Sequence, residues 1–587
     1  RSMPNIILGL AGAIGHDPAA ALYVDGELVA ACEEERFVRR KHARDEAPYL
    51  AARACLQMGG VRGQDVSQIA IPFAPISLFT KARWHYAYRH WYAPDRAIDS
   101  VLNGNRRYRR YRRDLSSLLD KLHIPAATSQ VVPVQHQLAH AASATLINPQ
   151  ELRTPIFCSD AKGEYSAIFL GYAEAGKIVR VKEFYNPDSL AGMYAALTDY
   201  LGFEALDGEF KVMGIAPFGD PEKYDLSSLA KFNGRRLKIN NHLVGTVGIR
   251  RYKAQSKGHY FSRQLVDMLG PRRVGNLVDD PYVHYAAAIQ ALYENLAVKI
   301  VKSYLGDMIH ETGRLAVAGT SSLNIRLNQK LGEIDGVKEL LINPASGDAG
   351  TAIGAAAFAA SKQTEPLKPA KHFFLGPKFT RNQCVEACKG HREKPVWEIL
   401  DDPHAKAVEL LKAGEVIGWF RGRMEFGARA LGNRSILADP SQPGIAQRIN
   451  KLVKFRESWR PFSASLLESA ADDYIDRGKL NSHDEAMALS VKTTAKFREA
   501  YPDVVHVDGT ARLQVVRDDN NADFHNLLSQ FADATGQRLL INTALNRPGE
   551  ALVCTPEEAI NAFHGTDLNY LILGDLLVSK REEVDDW

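Results

Sequence analysis

One pattern of strand, Gly/Asp turn and hairpin occurs twice in this chain, and it limits the possible folds more than any other feature. The first copy opens on the apolar run NIILGLAG and continues into GHDPAAALYVDGELVAACEEE, where Asp25-Gly26 joins two alternating runs as a hairpin turn does. The second copy spans 154–186: TPIFCSDAKGE reads as strand and turn, and YSAIFLGYAEAGKIVRVKEF as another hairpin. Helical stretches follow each copy. Two segments with one order of elements predict two similar α/β lobes.

That arrangement is the signature of the actin-like (ASKHA) fold, shared with hexokinase, in which nucleotide binds between the lobes against Gly-rich hairpin turns. Residues 270–312 carry apolar positions at helical spacing. RLAVAGTSSLNIRLNQKL and ELLINPASGDAGTAIGAAAFAAS then read as two strand–Gly turn–helix units, which aim backbone N–H groups at a place where an anion can bind. A Pro/Lys-rich linker at 361–373 separates a first domain, 3–362, from a second, 373–587. The second opens with a helix (HAKAVELLKAG) and a strand. It then becomes dense in arginine: Arg421, Arg423, Arg429 and Arg434 alternate with glycines, and Lys451, Lys454, Arg456 and Arg460 follow. Arginine forks suit phosphate oxygens, and glycines let backbone approach them.

Several classes are disfavoured. A chain of 587 residues exceeds one core. Its net charge of +4 is too small to select a partner globally, and it has no apolar run of the roughly 18 residues a membrane span needs. Arg1-Ser2 ahead of Met3 reads as a cloning remnant, with nothing like a secretory signal after it. The six cysteines include one close pair, Cys384 and Cys388, without a second pair to complete a zinc site; buried reduced thiols and a cytoplasmic location are expected. Walker, dinucleotide-binding and serine-hydrolase signatures are absent.

His136 and His140, in VQHQLAHAASA, stand four residues apart, so a helix there presents both imidazoles to one ion. Asp160 follows an apolar strand and can bring a carboxylate to the same ion.

Eight blocks in register, GHDPAAAL, VQHQLAHAASA, SDAKGE, GEFKVMGIAPFGDP, INPASGDAGTAIGAA, RMEFGARALGNRSILADP, FRESWRPFSASL and LLINTALNRPGEALVCTP, resemble the NodU/CmcH family of O-carbamoyltransferases over nearly the whole chain. The resemblance implies an actin-like N-terminal domain, similar to threonylcarbamoyl-transferring proteins, fused to a YrdC-like α/β domain. It implies that the C-terminal domain turns carbamoyl phosphate and Mg-ATP into carbamoyl-adenylate, and that the N-terminal domain moves the carbamoyl group to a hydroxyl. His136, His140, Asp160 and Asp348 would hold a divalent metal, iron in the first place, with Mn or Zn equally suited by ligand type. His16 and Asp17 become candidates for general base and its orienter, and Lys454 and Arg429 for the catalytic cations of the second domain. Gly163, Glu164, Lys211, Gly319, Asn324, Gly347 and Gly350 would shape the nucleotide cleft. Arg423, Arg456, Arg460, Asn542 and Thr543 would serve the nucleotide in the C-terminal domain. One departure, AGTSSLN at 318–324, puts Thr320 and Ser321 where the family has Gly-Val-Ala-like residues, and this narrows the turn.

The acceptor is less determined. An aminoglycoside of the tobramycin or kanamycin kind would want carboxylates, and Asp207, Glu209 and Asp220 are the candidates. Ansamycin, cephem or aminocoumarin-sugar acceptors are alternatives, as is tRNA. Residues 81–113 interleave arginine with Trp and Tyr, a composition that suits a solvated helical insertion, a nucleic-acid contact or a substrate lid; nucleic acid is the less favoured partner. The oligomeric state is open.

Overall fold

The computed structural model describes residues 4–12, 16–125, 129–149, 152–161, 163–245, 259–363, 366–476, 478, 481–482 and 484–580. Linker residues 364 and 365 therefore lie outside the described residues.

The duplication is visible in two sheets. In the first, β1 (Ile6–Ala11), β2 (Ala19–Val24) and β3 (Glu27–Glu33) run antiparallel, and β4 (Gln68–Ile71) and β5 (Gln130–Pro133) add parallel strands on the other side of β1, giving the order β3-β2-β1-β4-β5. In the second, β6 (Thr154–Ser159), β7 (Ser166–Glu174) and β8 (Lys177–Tyr185) run antiparallel. A small hairpin, β9 (Ala230–Phe232) and β10 (Leu237–Ile239), stands apart. Then β11 (Arg314–Ala318) and β12 (Glu339–Ile342) complete the second sheet in parallel, so that β8-β7-β6-β11-β12 repeats the first order. A two-residue strand from the C-terminal half, Asn481–Ser482, pairs with the free edge of β12.

Two helices fill the space between these sheets. Thr351–Ala360 packs on the first sheet, His136–Thr145 on the second, and the two helices pack on each other. Both are dominated by alanine, and Thr351–Ala360 is buried on nearly every side. Small side chains are what permit backbones to approach this closely. A Cβ on Gly354 would lie 1.7 Å from Ala139 O, and one on Gly9 2.1 Å from Ala352 O. The two positions fix the separation of sheet, helix and helix, and hence the position of the histidines. Gly354→Ala should cost about 1–3 kcal/mol through forced separation and should loosen the histidine helix. Calorimetry is expected to show a lower Tm, and metal analysis a lower metal content, than for the unaltered protein.

The C-terminal half is built on a ten-stranded mixed sheet. Its centre is Ile417–Phe420, Arg434–Ala438, Leu539–Ala544, Ala464–Leu467 and Thr510–Val516 in that spatial order. The stretch expected as one strand after residue 415 is instead two, separated by the turn-rich segment 421–433, because its glycines at 422, 427 and 432 all adopt positive φ. All six cysteines are buried and free. No helix among the described residues is long and apolar enough to cross a membrane.

Charged side chains fasten the halves together. Glu33 accepts from Gly427 N (2.7 Å), Arg36 donates to Gly427 O (2.7 Å), and Arg39 donates to Ala551 O (2.8 Å) and Leu552 O (2.7 Å). Residues 366–373 have no regular structure yet are docked, with Lys368 N on Gly26 O and Ala370 N on Ile147 O.

Candidate metal centre and anion pocket

Helix His136–Thr145 begins at its first metal-ligand candidate. Glu164 accepts from His136 N (3.1 Å) and from Ala74 N (2.8 Å), so this half-buried carboxylate anchors the start of the helix rather than facing a nucleotide. One turn later His140 lies over His136, with ring centroids 4.6 Å apart. Their Nε2 atoms are 3.1 Å apart and lie 2.8 and 3.3 Å from Asp160 Oδ2, and Asp348 Oδ1 stands 3.4 and 3.5 Å from them. All four side chains are buried, and they form a cluster that can bind a metal ion. A tetrahedral ion with bonds of about 2.0–2.2 Å needs ligand atoms about 3.3–3.6 Å apart, so a small outward adjustment fits Fe, Mn or Zn. Asp348 Oδ1 is buried without a hydrogen bond and faces both imidazole Nε2 atoms within 3.5 Å; a cation at their centre gives that oxygen a partner. Burial opposes charge on His136, but the Asp160 and Asp348 carboxylates outweigh it and hold its pKa well above the ordinary value.

The unusual turn supports this cluster. The Thr320 hydroxyl donates to Asp160 Oδ1, and Ala161 N donates to the same oxygen at 2.8 Å. Ser321 Oγ bonds Ser159 Oγ at 2.9 Å. Thr320 is thus an orienter of a ligand carboxylate, a role that the narrowing of the turn alone did not suggest. Gly319 has φ +89°, and a Cβ there would meet Ser159 O at 2.2 Å, so its glycine is required by the crossing of two strands. Asn324 caps the next helix through Leu327 N (2.9 Å) and bonds Gln290, which commits its amide away from a nucleotide. Gly163 sits against His136 Cβ (3.4 Å), Gly347 against Leu323, and Gly350 makes a tight approach to Ala345 O, so these three shape the walls of the metal cluster.

A second group adjoins the first. His16 Nδ1 is 2.7 Å from Asp17 Oδ2 and its Nε2 is 3.2 Å from Asp348 Oδ2. Asp17 Oδ1 meets His42 Nδ1 at 2.8 Å, and His42 Nε2 meets Asp207 Oδ1 at 2.7 Å. An unbroken relay therefore runs from a metal-cluster carboxylate to Asp207. Asp17 holds φ +54° and donates its N–H to His42 O (2.9 Å), a strained turn locked by the partner loop. Burial would raise the Asp17 pKa, but the two imidazoles overcome it and bring it down to about 2; the carboxylates likewise overcome burial and lift His42 to about 10. His42 was not among the expected site residues, because in the basic run RRKHARDE it reads as solvated.

The three acceptor candidates separate. Asp207 belongs to the relay. Glu209 accepts from Leu206 N (2.7 Å), and burial raises its pKa to about 7. Asp220 is on an exposed turn, accepting from Glu222 N (2.9 Å).

In the C-terminal half, the cations sort into two kinds. Arg423 is consumed by Leu375 O (2.7 Å), Val29 O (3.0 Å) and Gly376 O (3.1 Å), so it ties the halves together instead of meeting phosphate. Arg421 pairs with Asp523, and Arg434 donates to backbone carbonyls. Asn542 lies within the strand Leu539–Ala544, buried, with its amide on Ser465 Oγ (2.9 Å); Thr543 follows on the same strand, not on a loop.

The other kind is crowded together. Burial first, and neighbouring cations second, push Lys454 down to about 7, Arg456 to about 9 and Arg429 to about 10. Arg512 is depressed well below the guanidinium range by burial and by Arg429, Arg456 and Arg460. Lys454 Nζ donates to Ala544 O (2.7 Å) and Asn546 Oδ1 (2.8 Å), Arg456 lies over the Phe462 ring at 4.0 Å, and Arg512 Nε donates to Ser463 Oγ (2.6 Å). Glu457 meets Arg460 at 3.5 Å. Half-buried cations that lower one another's pKa suit a bound anion, which would relieve their repulsion. Arg512 was missed from sequence because in the alternating strand TARLQVV it reads as the solvent-facing position.

This pocket borders the N-terminal half. Arg460 lies over Phe210 (4.9 Å), Trp459 packs on Gly214 and Phe218, and Lys211 Nζ reaches Glu457 (3.8 Å) while lying over Phe203. Lys41, next to His42, is close enough for its charge to bear on Lys454.

One α/β half thus carries a buried His/Asp cluster that can bind a metal ion, and the other a group of crowded cations. Family models described as carbamoyltransferase N-terminus and carbamoyltransferase C-terminus match residues 6–357 and 408–580, and the chain belongs to this carbamoyltransferase family. An uncharacterized protein of Synechocystis is 30% identical across 99% of this chain and 98% of its own length. Nodulation protein NolNO of Sinorhizobium fredii is 31% identical across 99% of this chain and 81% of its own length. The 3'-hydroxymethylcephem-O-carbamoyltransferase of Streptomyces clavuligerus is 29% identical across 44% of this chain and 48% of its own.

Proposed function

We propose that this O-carbamoyltransferase divides its reaction between the two sites. At the cationic pocket, which we assign to a YrdC-like domain running from about residue 373, water cleaves carbamoyl phosphate to carbamate and phosphate, and the carbamate oxygen attacks the α-phosphorus of Mg-ATP to give carbamoyl-adenylate and pyrophosphate. At the metal cluster of an actin-like domain ending near 362, the carbamoyl carbon is attacked by the acceptor hydroxyl, the C–O bond to AMP breaks, and AMP leaves. The observation that carries this reading is the crowding of Lys454, Arg429, Arg456, Arg460 and Arg512, which stabilises phosphate charge.

His16 is the acceptor's general base in this reading. Asp17 holds its Nδ1, so its Nε2, which faces the metal cluster, takes the hydroxyl proton. His136, His140, Asp160 and Asp348 hold the divalent ion, which when bound offsets charge on the leaving phosphate. His42 keeps Asp17 ionised and carries Asp207 in line behind it. Enclosure between the halves limits hydrolysis of the adenylate.

A small-molecule hydroxyl compound is the acceptor class, and an aminoglycoside is favoured because Asp207 keeps a partly exposed carboxylate beside the relay. Mass spectrometry tests the assignment: the protein is incubated with carbamoyl phosphate, ATP and Mg²⁺, then separately with tobramycin, an aminocoumarin glycoside, an ansamycin and bulk tRNA. The reading expects an ATP-dependent gain of one carbamoyl group on tobramycin, and Asp207→Asn should raise its KM without changing adenylate formation. A gain on tRNA alone overturns the acceptor class.

Lys454 also sets a pH dependence. With its pKa near 7 it is charged below that value and neutral above it, and an anion prefers the charged form. The carbamoyl phosphate KM is therefore expected to rise as pH increases above about 7, by up to about tenfold per unit. A flat profile between pH 6.5 and 8.5 would remove Lys454 from that role.

A further inference from the structure

The three helices Lys81–Arg89, Pro94–Leu102 and Arg106–Lys121 are arranged inside out. On the first, the polar side chains face the protein. Buried Arg83 donates to Ile76 O (2.6 Å) and Val101 O (3.2 Å), His85 Nε2 meets Asp188 (2.8 Å), and Arg89 pairs with Asp188 and donates to Ile239 O (2.6 Å). The aromatic stripe at i, i+4 and i+7 points the other way: Trp84, Tyr88 and, just past the helix end, Trp91 are exposed, the last two by more than 70%. Phe79 ahead of the helix is 87% exposed, and the Trp84 indole donates to Leu78 O (2.9 Å), which joins that segment to the stripe. Ile98 and Leu102 continue it at i, i+4 on the second helix. A water-soluble helix normally buries such a stripe and exposes its charges.

The third helix supplies a different element. Tyr111 bonds Leu10 O (3.2 Å), and Leu115, Leu118 and Leu119 anchor it in the core. Its outward positions include Arg107, Arg109, Arg110 and Arg112, which make no ion pair among the described residues. Arg106 bonds Asp99 of the second helix (3.0 Å), so the cationic and apolar faces adjoin.

We infer that this face docks peripherally on an anionic lipid surface, with the aromatic and aliphatic stripe entering the headgroup region and the arginines meeting lipid phosphates. Exposed apolar side chains beside a polybasic segment are the two signals that stable peripheral attachment requires, and Trp and Tyr favour that interface. A two-fold contact with a second copy would bring the same unpaired arginines together. Single-stranded nucleic acid stacks on aromatic rings but gains nothing from Ile98, Leu102 or Leu78, and here the most exposed rings lie on or beside the first helix while the unpaired arginines lie on the third. Because Tyr165 donates to Ser100 O (2.8 Å) and stacks edge-on against Tyr86, the face is rigidly joined to the turn beside Glu164.

The test is co-sedimentation of the full chain with vesicles of phosphatidylcholine alone and of phosphatidylcholine with phosphatidylglycerol. Binding to the anionic vesicles, weakened by salt and accompanied by a blue shift of tryptophan emission, is expected. The substitutions Arg107→Gln, Arg109→Gln, Arg110→Gln and Arg112→Gln together should lower partitioning on the order of a hundredfold or more, and Trp84→Ser with Trp91→Ser should abolish the shift. Failure to bind the anionic vesicles overturns the inference. So does binding that both variants retain, self-association lost in the tryptophan variant, or tRNA binding at physiological salt in place of vesicle binding.

Discussion

His136→Ala is expected to abolish carbamoyl transfer while carbamoyl-adenylate formation continues near the original rate. The substitution removes the ligand that lies closest to Asp160, and a three-ligand remnant should lose its ion. Loss of that cation removes several kcal/mol of charge stabilisation at the leaving group, on the order of a thousandfold in transfer rate. The pocket of Lys454, Arg456 and Arg512 belongs to other strands and turns, so the first half-reaction has no reason to change. Three readouts separate the possibilities: metal content, pyrophosphate release without acceptor, and acceptor carbamoylation. Equal loss of both half-reactions would mean that the sites are not divided as proposed.

Lys454→Ala should do the reverse. Adenylate formation should fall by about a hundredfold to a thousandfold, the range for removing one donor to developing phosphate charge, while transfer from synthetic carbamoyl-adenylate supplied in solution persists. Stability should move differently from activity. In the free protein Lys454 is a buried cation among cations, its pKa held down to about 7 by burial and then by Arg456, Lys41 and Arg460. At pH 6, where it is charged, its removal relieves that repulsion, so the variant's Tm should be no lower than that of the unaltered protein. A large drop in Tm together with loss of both half-reactions would show that Lys454 holds the fold and not the phosphate.

The sequence was most informative where chemistry is local or periodic. Spacing alone put His136 and His140 on one helical face, and the strand-end position of Asp160 followed from the apolar run before it; Asp348 came only through the family resemblance. The repeat of strand, turn and hairpin announced both sheets of the N-terminal half. What failed to show was whatever depends on which side of a turn a side chain leaves. Arg423 and Arg429 stand in one glycine-spaced run, yet the first is spent on three carbonyls and the second joins the anion pocket. His42 and Arg512 acquire their roles from partners far along the chain, Asp207 and the Arg429 cluster, so no local pattern marks them. The Asn481–Ser482 strand, which ties the C-terminal half to β12, is too short to carry a period.

The most direct measurement leaves the acceptor out. The protein is mixed with carbamoyl phosphate, ATP and Mg²⁺, quenched in acid, and analysed by mass spectrometry for AMP bearing one carbamoyl group, alongside pyrophosphate. The account predicts that both appear without acceptor in the unaltered protein and in His136→Ala, and that both fall by about a hundredfold or more in Lys454→Ala. No carbamoylated AMP or pyrophosphate from the unaltered protein, or an adenylate that disappears in His136→Ala, would contradict it.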